Sequence, residues 1–364
     1  MKKIILITLL VLLCGCTTTP KQESLSIEGK VVLVDDNGNV DIDVTNTDIL
    51  TKGFNYGDSV NIELENGYTL EDIPFLSGMY VEYGKAMLYG KASKDKVSMI
   101  QKYKSFAENS EAVEEMKYTV TLNEANKYIN IEEVGNLLIT NNIEDYDSVE
   151  EFTNFREVKV GDIKEGRLYR SASPIDNSAN RSNYVSKLTL DKNIKTILNT
   201  IDKEDAYNEL LANIEGDSKT LIENTAVINA PISNDYQSDK NNKIIVEGLI
   251  ELTNNEYPYL IHCLEGKDRI GYELAIIEAL CNATYEEIVD DYMLSYKNYY
   301  GVTKETEPAK YDYIKQTNID AMLRFITSAD NVEEIDLKQA TTSFLINYGM
   351  SDEQINLLIK VLCE

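Results

Sequence analysis

The chain has 364 residues and a formal net charge of −27, with 35 basic and 62 acidic residues. This length predicts two domains, and the acidic balance argues against a nucleic-acid partner because it leaves no broad basic surface. An anionic substrate would be repelled by the body of such a protein and must be attracted by a local group of cations. The only histidine is His262, which excludes any catalytic or zinc arrangement that needs a histidine elsewhere in the chain.

The N-terminus is typical of an export signal. Met1-Lys2-Lys3 is a charged start, and residues 4–13 form an apolar run that is too short to span a bilayer. Residues 13–16 resemble the lipobox of bacterial lipoproteins, in which Cys16 would carry the lipid. We therefore expect a signal peptide over 1–15, a tether over 16–26, and a protein that is exported and lipid-anchored at the outer face of a bacterial cell membrane. An ordinary secretory signal cut nearby is the alternative.

Residues 27–110 are predicted to form a small all-β domain. Two pairs of strands with alternating apolar residues are predicted, and an Asn-Gly turn signal joins the two strands of each pair. The first pair is residues 31–34 and 40–44, and the second is residues 60–64 and 68–70. Strings such as Gly29-Lys30-Val31-Val32 resemble the C-terminal barrel of the S-adenosylmethionine hydroxide adenosyltransferases. That resemblance implies a barrel-like shape and no activity. Residues 94–117, rich in Lys, Glu and Ala, are expected to be helical, and residues 111–151 to bridge to the next domain.

Residues 152–364 have an α/β pattern. Short apolar strands alternate with amphipathic helices, in the order 194–199, 203–213, 226–230, 243–252 and 259–261. This order predicts a parallel sheet flanked by helices, with the functional site at the carboxyl ends of the strands. Four more helices are expected after it, at 284–300, 311–326, 337–348 and 352–362.

One strand-to-helix loop in this domain carries reactive residues. It reads His262-Cys263-Leu264-Glu265-Gly266-Lys267-Asp268-Arg269-Ile270-Gly271. Such a loop can direct backbone N–H groups and the positive end of a helix at an anion. Arg269 can bind two phosphate oxygens at once, and a cysteine in such a field is readily ionised to a nucleophilic thiolate.

The spacing of cysteine, five residues and arginine resembles the signature of the cysteine-dependent tyrosine phosphatases. His-Cys together with Gly-Lys-Asp-Arg is similar to their bacterial branch, which includes lipid and dual-specificity phosphatases. The resemblance implies a phosphocysteine formed on Cys263, support from His262, and neither cofactor nor metal. It implies that phosphate is bound by Leu264, Glu265, Gly266, Lys267, Asp268 and Arg269. Arg170, in Arg167-Leu168-Tyr169-Arg170-Ser171, is similar to the opening segment of that branch, where it borders the active site; a structural salt bridge is the other interpretation.

A phosphatase of this kind also needs a carboxylic acid to protonate the leaving oxygen. Asp268 in the loop and Asp235 in the loop after the preceding strand are the candidates, with Asp268 placed first and Asp239 a weaker third. Two residues depart from the family pattern: Ile270 stands where relatives carry Thr or Ser, and Glu265 adds a negative charge at the loop mouth. Both predict slow turnover.

The function predicted first is therefore hydrolysis of phosphotyrosine, with other phosphate esters as further substrates, so the expected partner is a phosphorylated protein or a small phosphate ester. A phosphoinositide or inositol polyphosphate phosphatase is the alternative, because Lys267 favours a broad basic mouth. A catalytically weak module that binds phosphorylated ligands is the second alternative, because of Ile270 and Glu265. Besides the substrate, the membrane is expected as a partner through the N-terminal lipid, and nucleic acid is not.

Overall fold

The computed structural model describes residues 25–201 and 203–364. The predicted signal peptide and Cys16 lie outside the described residues, so the interpretation of that segment stays a prediction. Among the helices of the described residues, none is both long and apolar enough to cross a bilayer.

The first unit is a closed barrel. Its strands are β1 (Ser26–Val34), β2 (Val40–Ile42), β3 (Ser59–Leu64), β4 (Thr69–Leu76), β5 (Ala86–Lys91), β6 (Lys96–Gln101) and β7 (Lys117–Glu124). Around the barrel they run β1-β2-β6-β5-β4-β3-β7, and β7 pairs back onto β1. All neighbours are antiparallel except β4 and β5. Side chains such as Val31, Phe75 and Val120 fill the interior, and helices α1 (Asn46–Thr51) and α2 (Phe106–Ser110) lie in the connections.

Two predictions about this part of the chain need correction. The barrel extends beyond residue 110, because its closing strand β7 lies in the segment expected to be a bridge. The helix expected over residues 94–117 is wrong, since that segment contains β6 and the short α2 instead. Its Lys and Glu content favours a helix, but Val97 and Met99 are fully buried in the barrel wall, and sheet pairing overrides local propensity.

The second unit is built on a five-stranded sheet. After the bridging helices α3 (Ile129–Gly135) and α4 (Val149–Thr153) come β8 (Arg156–Glu157), β9 (Leu168–Ser171), β10 (Thr196–Asn199), β11 (Ala226–Asn229) and β12 (Tyr259–His262), in the order β11-β10-β12-β9-β8. Only the edge strand β8 is antiparallel. The connecting helices are α5 (Ser182–Asp191), α6 (Glu204–Leu211), α7 (Gly216–Asn224) and α8 (Asp239–Thr253). The predicted parallel sheet flanked by helices, after a barrel, is confirmed.

The rest of the chain is helical, as predicted. After β12 come α9 (Asp268–Leu280), α10 (Tyr285–Tyr300), α11 (Pro308–Lys315), a π-helical turn (Gln316–Asp320), α12 (Ala321–Thr327), α13 (Leu337–Asn347) and α14 (Asp352–Cys363). α9 is buried along nearly its whole length between the sheet and the later helices. A capping box formed by Thr284 and Glu287 begins α10.

The barrel is packed against the second unit. The Tyr313 hydroxyl on α11 donates a hydrogen bond to the Tyr80 carbonyl at 2.9 Å, and Lys310 forms an ion pair with Glu133 on α3 at 3.3 Å. These contacts bring one end of the barrel beside the loop that follows β12.

Candidate active site

The predicted loop lies at the carboxyl edge of the sheet. β12 pairs with β10 on one side and β9 on the other, so its last residue, His262, is central. Leu260 and Ile261 are fully buried, which anchors the strand, and Cys263 follows with only 4% of its surface exposed. α9 begins at Asp268, so residues 263–267 form the turn between strand and helix.

The carbonyl groups of this turn are held by the surrounding scaffold. The carbonyls of residues 264–267 each accept a hydrogen bond. Ser173 N–H donates to Leu264 at 3.2 Å, and the Tyr299 hydroxyl donates to Glu265 at 2.6 Å. The Asn154 amide donates to Gly266 at 2.7 Å, and Arg170 donates to Gly266 at 3.0 Å and to Lys267 at 3.4 Å. The N–H and C=O of one peptide unit point in opposite directions. Fixing the carbonyls outward therefore turns the N–H groups toward the centre of the loop.

These N–H groups are available to bind a ligand. Within residues 25–201 and 203–364, the backbone N–H groups of residues 264–269 have no hydrogen-bond acceptor from the protein. Several of them belong to the first turn of α9, where the helix dipole adds partial positive charge. A ring of successive N–H groups at a helix N-terminus is an anion site.

Gly266 permits this path of the chain. Its φ is +68°, in the left-handed region, and a Cβ there would lie 2.3 Å from the carbonyl carbon of Ser171. Both the backbone conformation and the close approach of β9 therefore require glycine.

A buried ionic network fixes the loop from behind. Arg170, which is fully buried, donates to the loop and forms an ion pair with Asp291 on α10, and Arg156 binds the same carboxylate at 3.0 Å. Burial raises the pKa of Asp291, but the two arginines lower it more, so that the pKa lies well below its usual range. Arg170 thus combines both predicted roles, a salt bridge and support of the loop. Sequence reasoning missed Asn154 and Asp291, which come from distant segments without a local pattern.

Of the two loop cations, Arg269 has no hydrogen-bond or ion-pair partner among the described residues. No hydrogen bond or ion pair joins its guanidinium to the described residues, and its Nε is buried. Lys267 differs, because its Nζ lies 3.0 Å from Asp268 and 4.0 Å from Glu265. Burial lowers the pKa of Lys267, but Asp268 and neighbouring tyrosines raise it by more, so its net shift is upward. Lys267 therefore stays charged and paired.

The candidate acids lie in different surroundings. Asp268 is bound by Lys267, and its Oδ1 accepts hydrogen bonds from the hydroxyls of Tyr292 at 3.4 Å and Tyr296 at 3.3 Å. Asp235 lies between β11 and α8, where the Asn241 amide donates to its carbonyl at 2.7 Å. Burial raises the pKa of Asp235, which favours the protonated form of an acid.

The remaining predicted acid, Asp239, is exposed at the start of α8. The neighbours of Asp235 in the chain, Asn234 and Tyr236, line a small cavity together with Arg269.

Three further loop residues set the charge and packing around Cys263. Burial lowers the pKa of His262 to about 4, so its imidazole is neutral at pH 7. Burial also raises the pKa of Glu265, against the effect of Lys267. Ile270 is fully buried in the same apolar cluster as Cys263. Within the described residues, no group of three or more His, Cys, Asp or Glu side chains is placed to hold a metal ion.

Residues 217–363 match the tyrosine phosphatase family model. The match covers less than half of the chain, and it includes the loop, α9 and the helices that follow. Together with the cysteine at the base of an anion-binding loop, it identifies this part of the chain as a cysteine-based, tyrosine phosphatase-like hydrolase. No curated protein matches the chain.

Three solved structures illustrate the similarity of fold. An uncharacterized conserved protein from Thermotoga maritima is 14% identical over 27% of this chain, which spans only 36% of that protein, with a TM-score of 0.24. The core catalytic domain of the PP-IP phosphatase SIW14 from S. cerevisiae is 22% identical, over 48% of this chain and 91% of its own, with a TM-score of 0.28. TpbA from P. aeruginosa is 17% identical, over 49% of this chain and 92% of its own, with a TM-score of 0.27.

Proposed function

We propose that the protein is a phosphomonoesterase that hydrolyses phosphotyrosine through a phosphocysteine intermediate. The observation that carries the proposal is the loop itself. Among the described residues, the backbone N–H groups of residues 264–269 have no acceptor and the Arg269 guanidinium has no partner, and Cys263 begins the same loop. This arrangement fits the oxygens of a phosphoryl group.

The reaction has two steps. The Cys263 thiolate attacks phosphorus in line, the sulfur–phosphorus bond forms, and the bond to the tyrosine oxygen breaks as that oxygen takes a proton from a carboxylic acid. Water then attacks the phosphocysteine and gives a proton to the same carboxylate; the sulfur–phosphorus bond breaks, inorganic phosphate is released, and the thiolate and the acid are restored. Arg269 and the N–H groups bind the equatorial oxygens in both transition states, where charge spreads over them.

Asp235 is the acid that we expect to donate the proton. Its pKa is raised by burial, and its loop borders Arg269, whereas both oxygens of Asp268 are engaged by Lys267 and tyrosine hydroxyls. Asp268 then acts by fixing Lys267 at the rim. A raised pKa moves a carboxyl group toward the protonated form that a general acid needs.

The ion pairs of Lys267 favour phosphotyrosine over an inositol polyphosphate. A highly charged ligand needs several free cations in the loop itself, but the charge of Lys267 is already balanced by Asp268 and Glu265. Its Nζ also lies 4.6 Å from the centre of the Tyr296 ring, which places an aromatic wall beside the loop.

The decisive experiment uses the full chain, purified in detergent, with an aryl phosphate and no added metal. We expect release of phosphate, its loss in Cys263→Ser, and capture of a phosphocysteine after acid quenching. Activity that survives Cys263→Ser contradicts the proposal. Binding of a phosphotyrosine peptide without turnover or phosphocysteine would favour the binding module.

The proposed location rests on the N-terminal sequence alone. Export and lipid attachment at Cys16 would place the phosphatase on the outer face of the membrane, facing substrates outside the cytoplasm. Metabolic labelling with a fatty acid should mark the wild type and not Cys16→Ala. Equal labelling of both, or of neither, contradicts lipidation at this residue.

A further inference from the structure

We propose that the barrel supplies part of the substrate site, in which Lys102 and Lys104 bind a second anionic group on the phosphorylated substrate. This inference rests on the proposed phosphatase function and extends it to the choice of substrate. The second group would be a carboxylate near the phosphotyrosine of a peptide, or a second phosphate on a small ring ester. Both present the same chemistry to a lysine pair.

A cleft of about 870 Å³ lies between the barrel and the second unit. One wall comes from residues 101–105 at the end of β6, and the other includes Lys267 and Asp268 of the anion-binding loop. Asn234, Tyr236 and Asp268 line both this cleft and a separate small cavity that Arg269 also lines. The barrel lysines and the phosphate-binding arginine therefore lie on neighbouring cavities that share a wall.

The charges along this cleft are opposite to those of the chain as a whole. Three lysines, Lys102, Lys104 and Lys267, and one carboxylate, Asp268, line it, although acidic residues outnumber basic ones by 62 to 35 in the whole chain. Lys267 and Asp268 balance each other at 3.0 Å. The net positive charge is thus contributed by the two barrel lysines.

Neither of these lysines is paired. In the described part of the chain no carboxylate lies within ion-pair distance of Lys102 or Lys104. Their amino groups lie over aromatic rings, Lys102 at 5.9 Å from the centre of Tyr103 and Lys104 at 5.2 Å from that of Tyr83. Burial lowers the pKa of Lys102, although Asp268 counteracts this. An anionic ligand would offset the free-energy cost of burying the charged amino group of Lys102.

The backbone presents these side chains from a fixed turn. The N–H of Lys104 donates to the carbonyl of Gln101 at 3.0 Å, and Tyr103 between them has a φ of +58°. A bulky residue in the left-handed region is uncommon, and such strain persists where the surroundings impose it, often at functional sites. Tyr103 is stacked on Tyr83 at 5.4 Å, and Tyr83 contacts Tyr236 at 5.8 Å. The turn is therefore fixed against the loop that carries Asp235.

The test compares two pairs of substrates with the full chain in detergent. The first pair is a phosphotyrosine peptide flanked by glutamates and the same peptide with glutamines. The second pair is a benzene ring with two phosphates and phenyl phosphate. We expect the wild type to prefer the more anionic member of at least one pair by about tenfold in kcat/KM, mainly through KM. The pair that responds identifies the source of the second anion.

The variant Lys102→Gln with Lys104→Gln should abolish this preference. The preference is measured as the ratio of kcat/KM between the two members of each pair, because Lys104 also acts electrostatically on Asp235 and a change in the acid affects both members alike. Lys52→Gln with Lys94→Gln is the matched control, because it removes the same charge from exposed barrel lysines that do not line the cleft. The control should keep the preference. A preference that survives in the cleft variant, or that disappears equally in the control, overturns the inference.

Failure of the proposed function is distinguishable from failure of this inference. If the wild type releases no phosphate, binding of the two peptides to Cys263→Ser is compared instead. Tighter binding of the glutamate peptide that depends on Lys102 and Lys104 supports the site even then. Cysteine-dependent turnover with equal rates for both members of each pair refutes the site and leaves the phosphatase function intact.

Discussion

Glu273 should make the stability of the protein depend on pH. This residue lies on α9, one turn after Arg269, with 1% of its surface exposed and no hydrogen-bond partner for either carboxylate oxygen among the described residues. Burial raises its pKa from the usual 4.5 to about 8. The carboxyl group is therefore protonated at neutral pH, which keeps a negative charge away from the loop that binds the anion.

The direction and the size of this pH dependence follow from the difference between the pKa values of Glu273 in the folded and unfolded protein. Because the folded protein holds this proton more tightly than the unfolded chain, stability is greatest below pH 4.5 and is lost as the pH rises through about 8. With these two pKa values, Glu273 should cost about 3 kcal/mol at pH 7. Between about pH 5 and pH 9 the loss attributable to this group is about 4 kcal/mol.

The assay is urea unfolding of wild type and Glu273→Gln, followed by circular dichroism at several pH values. The difference in free energy of unfolding between the two proteins should change with pH by that amount, because glutamine does not titrate. Glu247→Gln, an exposed carboxylate on α8, is the matched control and should run parallel to the wild type. If Glu273→Gln also runs parallel to the wild type, the carboxyl group is not a buried proton carrier and this reasoning is refuted.

Three further predictions concern catalysis. Gly266→Ala should lower kcat/KM by about a hundredfold, because the added methyl group forces the loop away from β9. Gly301→Ala is the control and should not lower kcat/KM, since Gly301 has a similar φ of +66° but no atom within 4 Å of the position of a Cβ. Ile270→Thr should raise the steady rate by roughly one to two powers of ten and shrink the burst in rapid-mixing assays, because a hydroxyl beside the thiolate is worth about 1.5–3 kcal/mol; no burst in the wild type and no change in rate would contradict this. Asp235→Asn should slow esters with poor leaving groups by at least about a hundredfold and spare good ones, whereas the same pattern in Asp268→Asn alone would make Asp268 the acid.

Sequence patterns predicted the second unit well because its signals are local. β10, β11 and β12 are short apolar runs, and each later helix carries its own apolar spacing and often its own cap, as Thr284 and Glu287 show. The cysteine, the arginine and the glycine of the loop lie within one stretch of the chain, so their association needed no long-range information.

Contacts between distant segments were not predictable in this way. Asn154 reaches Gly266 across 112 positions, and Arg170 reaches Asp291 across 121, and neither Asn154 nor Asp291 lies in a motif. Barrel closure by β7 is likewise a pairing of the first strand with the last. The contacts of Asn154 and Arg170 hold the loop in shape, and they and the barrel closure are visible only in the tertiary structure.

The sequence identified only part of the positive charge near the candidate site. An acidic chain must attract an anion locally, and Lys267 and Arg269 were expected to do so. In the structure Lys267 is neutralised by Asp268 and Glu265, which leaves Arg269 and the backbone N–H groups at the loop. The unpaired lysines that remain near the cleft lie on the barrel, in a segment whose composition predicted a helix. The mistaken secondary structure therefore concealed the surface that could attract substrate, and the barrel gains a reason to be attached to the phosphatase-like unit.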